Sequence, residues 1–163
     1  MTPPSSAADS VLKTIQVKAS QERAFRVFTE EFDSWWPRSH HVGKSPMVKS
    51  VIEGRVGGRC YAEQEDGADC VWGSILAWEP PRRFVLAWRI DANWQLESDM
   101  SKCSEVEVNF TPEADGYTRV DLEHRYFSRM GASGETVRAA VDSKGGWGML
   151  LELFASRVGE VAQ

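Results

Sequence analysis

Cysteine is scarce: the 163 residues carry three, Cys60, Cys70 and Cys103, an odd number with no C-x-x-C pair. That pattern fits neither a disulfide framework nor a zinc knuckle, and a reducing cytoplasm is the expected setting. Lys and Arg form no cluster, and the 19 basic residues are outnumbered by 24 acidic ones, for a net charge of -5. Nucleic acid, whose binding rests on neutralised phosphates, and anionic membrane surfaces are therefore not expected partners. Long apolar runs are missing too. The longest nearly apolar stretch, Met149 to Ala155, is broken by Glu152 and falls far short of the roughly 20 residues that a spanning helix needs. The opening Met1 to Ser10 has neither the cationic start nor the apolar middle of a secretory signal. Residues 1–10 read as a disordered leader, and residues 11–163 as one domain.

What is present suits a packed interior. Hydrophobic residues make up 42% of the chain and charged ones 26%. A chain of this length buries about 68–70% of the surface its unfolded form exposes, so its core needs no metal or disulfide. Seven tryptophans are the most unusual feature. Each buries a large apolar area yet needs a partner for its N–H, so the set either fills the interior or lines a pocket for an aromatic ligand.

Val11 to Lys18, rich in β-branched residues, reads as a first strand. Ser20 can cap a helix that carries Glu22 in its first turn, repeats Phe25, Phe28 and Phe32 at helical spacing and runs to about Glu31. Trp35-Trp36-Pro37 stops it, because proline lacks a donor and restricts the residue before it. Residues 37–46 read as a loop. From there the period changes to two, and strands are expected near 47–53, 58–65, 69–79, 83–90, 104–112 and 117–126.

Alternation assigns faces. Val106, Val108 and Phe110 oppose Glu105, Glu107 and Asn109, and Val120, Leu122, His124 and Tyr126 oppose Arg119, Asp121, Glu123 and Arg125. One face is wet. On the inner face the same rule places Trp72, Ser74, Leu76 and Trp78, then Phe84, Leu86, Trp88 and Ile90. An Asp66-Gly67 two-residue turn would set Gln64 against Asp69, Glu63 against Cys70 and Cys60 against Gly73, with Cys60 and Cys70 on opposite faces. The cover for the apolar face is a carboxyl-terminal helix, whose Trp147, Leu150, Leu151, Phe154, Val158 and Val161 form one stripe. Gly145, Gly146 and Gly148 at its start are no phosphate loop, since they follow no strand and lack the Lys-Ser/Thr pair.

These segments carry a resemblance. Ala19-Ser20-Gln21-Glu22-Arg23-Ala24-Phe25, Trp35-Trp36-Pro37, Gly57-Gly58-Arg59-Cys60-Tyr61, Trp72-Gly73, Trp78-Glu79-Pro80-Pro81-Arg82-Arg83 and Gly146-Trp147 with Leu150, Leu151 and Leu153 occur in this order over nearly the whole chain. In that combination the chain resembles the START-related helix-grip (SRPBCC) superfamily. Within it, the chain is similar to bacterial homologues of the carboxyl-terminal domain of the heat-shock chaperone ATPase activator. The resemblance implies an α+β helix-grip fold. A seven-stranded curved antiparallel sheet would wrap around a long carboxyl-terminal helix, with two short helices between strands 1 and 2 and an internal cavity for an apolar or amphipathic small molecule.

His124, in the apolar register, is the candidate catalytic group; a hydrogen-bonded structural histidine is the alternative reading. No carboxylate joins it on the inner face, so binding without turnover is favoured over a cyclase or hydrolase. The expected ligand-binding residues are Trp36, Trp72, Trp88, His124, Tyr126, Trp147, Leu151 and Phe154. No metal site is expected: His40-His41 are adjacent in a loop and cannot readily share one tetrahedral ion. Trp94 and the Trp35-Trp36 pair fall near expected loops, where rim or lid roles compete with simple anchoring. The expected partner is a small apolar or aromatic ligand, with no cofactor; a chaperone and a second copy of the chain stay open as further partners.

Overall fold

The computed structural model describes residues 10–37, 45–91, 93 and 95–161. Seven strands are present: β1 (Ser10–Val17), β2 (Met47–Ile52), β3 (Arg59–Gln64), β4 (Asp69–Glu79), β5 (Arg83–Trp88), β6 (Ser104–Pro112) and β7 (Thr118–Arg125). They form one antiparallel sheet in the order β1-β7-β6-β5-β4-β3-β2. The expected boundaries agree to within a residue or two, because alternation and turn residues coincide at these ends.

Helix α1 (Gln21–Thr29) begins where Ser20 Oγ accepts from the Arg23 N–H at 3.1 Å. It ends before Glu31, and a short 3-10 turn, Phe32–Ser34, follows. One helix was not among the expected elements: α2 (Ser133–Val141) crosses between β7 and the last helix. Helix α3 (Trp147–Val161) buries Trp147, Leu150, Leu151, Phe154 and Val158 in one continuous core with α1 and the inner face of the sheet. The arrangement is an α+β helix grip. Among the described residues, no helix is long and apolar enough to cross a membrane.

The outer face of β5, β6 and β7 is held by charge. Arg125 pairs with Glu105 at 3.2 Å and also with Glu107, which in turn accepts from Arg83 Nε at 2.6 Å. Val85 and Ala87, opposite Glu107 and Glu105 in the ladder, lie buried beneath these long side chains.

Strand β4 departs from strict alternation. Its register slips twice, once beside Trp72 and once at Leu76, each time by one unpaired residue. Trp72 and Gly73 consequently both serve the inner side, Gly73 lying against Cys60. Ile75 is 1% exposed, whereas Leu76, expected inside, is 38% exposed, and Ser74 is only partly buried. The second slip returns Trp78 to the core, where it meets Phe25.

The β3–β4 turn also differs from expectation. Gln64 N–H donates to Ala68 O, enclosing Glu65, Asp66 and Gly67, with Gly67 at φ +87°. The loop is one residue longer than a two-residue turn, so Cys70 pairs with Ala62 rather than Glu63. Ala62 and Cys60 share a face, which puts Cys60 and Cys70 on the same side of the sheet and not on opposite ones. All three cysteines are free thiols. Burial raises the pKa of Cys60 and keeps it a thiol.

Candidate functional site

Four indoles from four separate elements meet inside the half-barrel. Trp36 follows the 3-10 turn, Trp72 stands at the first slip of β4, Trp88 ends β5 and Trp147 begins α3. Their ring centroids are 6.0 Å apart for Trp36–Trp72, 5.7 Å for Trp72–Trp88, 5.8 Å for Trp88–Trp147 and 6.1 Å for Trp147–Trp36. The contacts close a circuit. Trp36 and Trp72 lie nearly parallel, with 6° between their planes, and Phe32 stacks on Trp36 at 4.7 Å.

Local chemistry fixes these positions. The Trp35 indole donates to Val27 O at 3.1 Å, and Asp33 Oδ1 accepts from the Ser50 N–H at 2.8 Å, which ties the turn carrying Trp36 to both α1 and β2. Gly73 pairs with Trp88 across β4 and β5, setting Trp72 beside it. A Cβ at Gly73 would lie 2.9 Å from Ala87 O, so only glycine lets the two strands approach this closely there.

Beneath the circuit lies His124, with no exposed surface. Its Nδ1 is 3.1 Å from Trp147 Nε1 and its Nε2 is 2.8 Å from Ser104 Oγ. An indole nitrogen can only donate, so Nδ1 accepts, the ring proton sits on Nε2, and that proton is donated to Ser104. Burial lowers the His124 pKa to about 3, so the ring is neutral near pH 7. Both nitrogens are engaged, and the group orients Trp147 rather than offering a free base. Its ring also touches Trp88 at 5.1 Å and Phe127 at 4.4 Å.

The expected site residues therefore divide. Trp36, Trp72, Trp88, Trp147 and His124 converge. Leu151 is buried one turn along α3, and Phe154 packs farther off, on Phe28 and Trp35. Tyr126 is corrected: it has left the strand at φ +66°, and the Arg129 and Arg125 guanidiniums lie 4.2 and 5.2 Å from its ring centroid. Phe127 takes the inner place assigned to it. Ser104, Phe32 and Phe127 were not among the expected site residues, although the inward parity of Ser104 with Val106 could have found it. His40, His41 and Trp94 lie outside the described residues. Among the described residues, no three His, Cys, Asp or Glu side chains gather as a metal would require.

The chain matches the family described as Activator of Hsp90 ATPase homolog 1-like protein over residues 18–159. It is similar to a solved structure of an anthrahydroquino-gamma-pyrone synthase, Txn09, complexed with SUM. Identity is 40%, covering 91% of this chain and 96% of that one, with a TM-score of 0.65. It is also similar to CalC from Micromonospora echinospora, a self-sacrificing resistance protein, at 28% identity over 96% of this chain and 99% of that one, TM-score 0.67. Protein NE0264 from Nitrosomonas europaea, at 15% identity over 97% and 99% of the two chains and TM-score 0.68, shares the fold. No curated protein matches.

Proposed function

The chain belongs to the Activator of Hsp90 ATPase homolog 1-like family, and from that premise we propose that it binds a small planar aromatic molecule inside the half-barrel. The observation that carries the reading is the circuit of Trp36, Trp72, Trp88 and Trp147, four flat faces from four elements. Stacking on such faces suits fused rings, and each aromatic pair adds about 0.5–1.5 kcal/mol beyond the area it buries. The 40% identity with a protein described as an anthrahydroquino-gamma-pyrone synthase supports the same ligand class. Leu151 lies in the adjoining core and Phe154 beyond it, and neither adds a polar contact.

His124 has a positioning role in this reading. A histidine that is neutral and bonded at both nitrogens holds the Trp147 indole in one orientation. A second reading, an enzyme that closes a ring on such a ligand, is favoured by the synthase named above. In it, too, His124 acts through Trp147. Chaperone association follows from the family description alone, whereas the aromatic interior speaks for a ligand.

The test is a titration of the protein with 1,8-dihydroxyanthraquinone, followed by quenching of tryptophan fluorescence. Saturable binding at one site per chain, weakened at least ten-fold by Trp72→Ala, is expected. Quenching that never saturates, or that Trp72→Ala leaves unchanged, refutes the placement. Turnover of an anthrahydroquinone substrate in the same preparation would move the assignment to the enzyme reading.

A further inference from the structure

We propose that the cleft between α2 and the end of β5 is the outer part of the ligand site, that it receives an apolar aromatic ring, and that α2 therefore decides which ligands are admitted. The inference rests on the binding reading above and deepens it. The cleft measures about 70 Å3 and is lined by Trp88, Ile90, Thr136, Val137, Ala140 and Val141.

Trp88 connects the cleft to the interior. The indole that lines it is the one that meets Trp72, Trp147 and His124 on its other contacts. Trp88 is thus shared by the cleft and the four-indole circuit. Asp91, also on the lining, is engaged, because its Oδ1 accepts from the N–H groups of Asn93 and Gln95 at 2.8 and 3.0 Å.

Size decides what must move. An engineered core cavity of about 150 Å3 takes benzene, and the cleft has less than half of that. A fused ring therefore requires α2 to stand away from β5. The helix is built for this. It follows Gly131, whose φ of 66° and ψ of -137° belong to a region essentially reserved for glycine. Its far end turns at Gly146, where a Cβ would lie 2.0 Å from Val141 O. Between these ends, α2 buries Val137 in a small cluster with Val11 and Phe127, and its last residue, Val141, packs both on that cluster and on the edge of the main core. A segment with so little buried apolar surface opens at a lower free energy than the sheet it covers.

The experiment places bulk in the cleft. Ala140 lines it and is exposed on its other side, while Ala139, one residue earlier, is exposed and does not line it. Leucine at either position suits a helix, so both variants fold. With 1,8-dihydroxyanthraquinone as the probe, Ala140→Leu is expected to raise Kd at least ten-fold and Ala139→Leu less than two-fold. Wild-type affinity in Ala140→Leu overturns the inference while leaving the binding reading intact, and equal weakening in both variants overturns it as well. A wild-type protein that does not bind the probe refutes the binding reading itself, and the inference falls with it.

Discussion

Replacing His124 with asparagine separates the burial of a neutral imidazole from everything else that acid does to this protein. The imidazole has a pKa of about 3 in the folded chain against an ordinary value of 6.5. The folded value is the lower one, so the unfolded chain takes up the proton first. The stability contributed by keeping this ring neutral is complete above pH 6.5 and is lost as pH falls from there toward 3. Between pH 7 and pH 5 the loss is about 2 kcal/mol, obtained by integrating the proton uptake of an unfolded histidine against a folded one that stays neutral. With the folded pKa about two units below pH 5, the unfolded value sets that figure. Asparagine keeps an oxygen where Nδ1 accepts the Trp147 N–H but cannot reach Ser104, which costs about 1–3 kcal/mol at every pH. Urea unfolding of the two proteins at pH 7, 6 and 5 should show the variant less stable at pH 7 and the gap narrowing by about 2 kcal/mol at pH 5, with equal m-values. Other titrating groups are common to both proteins and cancel. A gap that stays constant from pH 7 to pH 5 would refute the burial argument.

The slips in β4 make a paired prediction: Ile75→Ala should cost about 2–5 kcal/mol in urea unfolding, whereas Leu76→Ala should stay within about 0.5 kcal/mol. Equal costs would restore strict alternation. For Glu107, partial burial pushes the pKa upward, but bonds from Arg125, Arg83 and Asn109 outweigh it and hold the carboxyl at about 2. The folded value is depressed, so this contribution is present above pH 4.5 and lost as pH falls toward 2. Glu107→Gln should flatten the acid limb of the stability curve in that window, and an unchanged limb would show that the outer-face network holds no proton-linked stability.

Much of the fold was legible because the strands alternate cleanly at β6 and β7, where Val106, Val108, Val120 and Leu122 are all buried as their parity requires. Strand β4 was not legible past Trp72, since a slip inserts one residue without any change in residue type. Tyr126 was misplaced because β7 stops at Arg125 and the next residue turns left-handed with no glycine or asparagine to announce it. Helix α2 has Val137 and Val141 at helical spacing but too few other apolar residues to stand out beside Gly131 and Gly134. At the site, parity marked His124 as an inward polar group. Its tautomer needed the Trp147 and Ser104 distances, and the closure of four indoles needed the pairing of Gly73 with Trp88.

The strand order has a kinetic consequence. Strand β1 is the edge strand beside β7, so Ser10 faces Arg125 and Ile15 faces Val120, more than a hundred residues apart in the chain. Closing so long a loop must come before the contacts that reward it, which slows folding relative to a protein of local contacts. On the ribosome, at about 5–20 residues per second, β1 waits several seconds for its partner, and α3 emerges later still. Until then the inner face has α1 against it but not α3, and the circuit lacks Trp147. The aromatic surface that would recognise a ligand is thus the last part of the molecule to be enclosed.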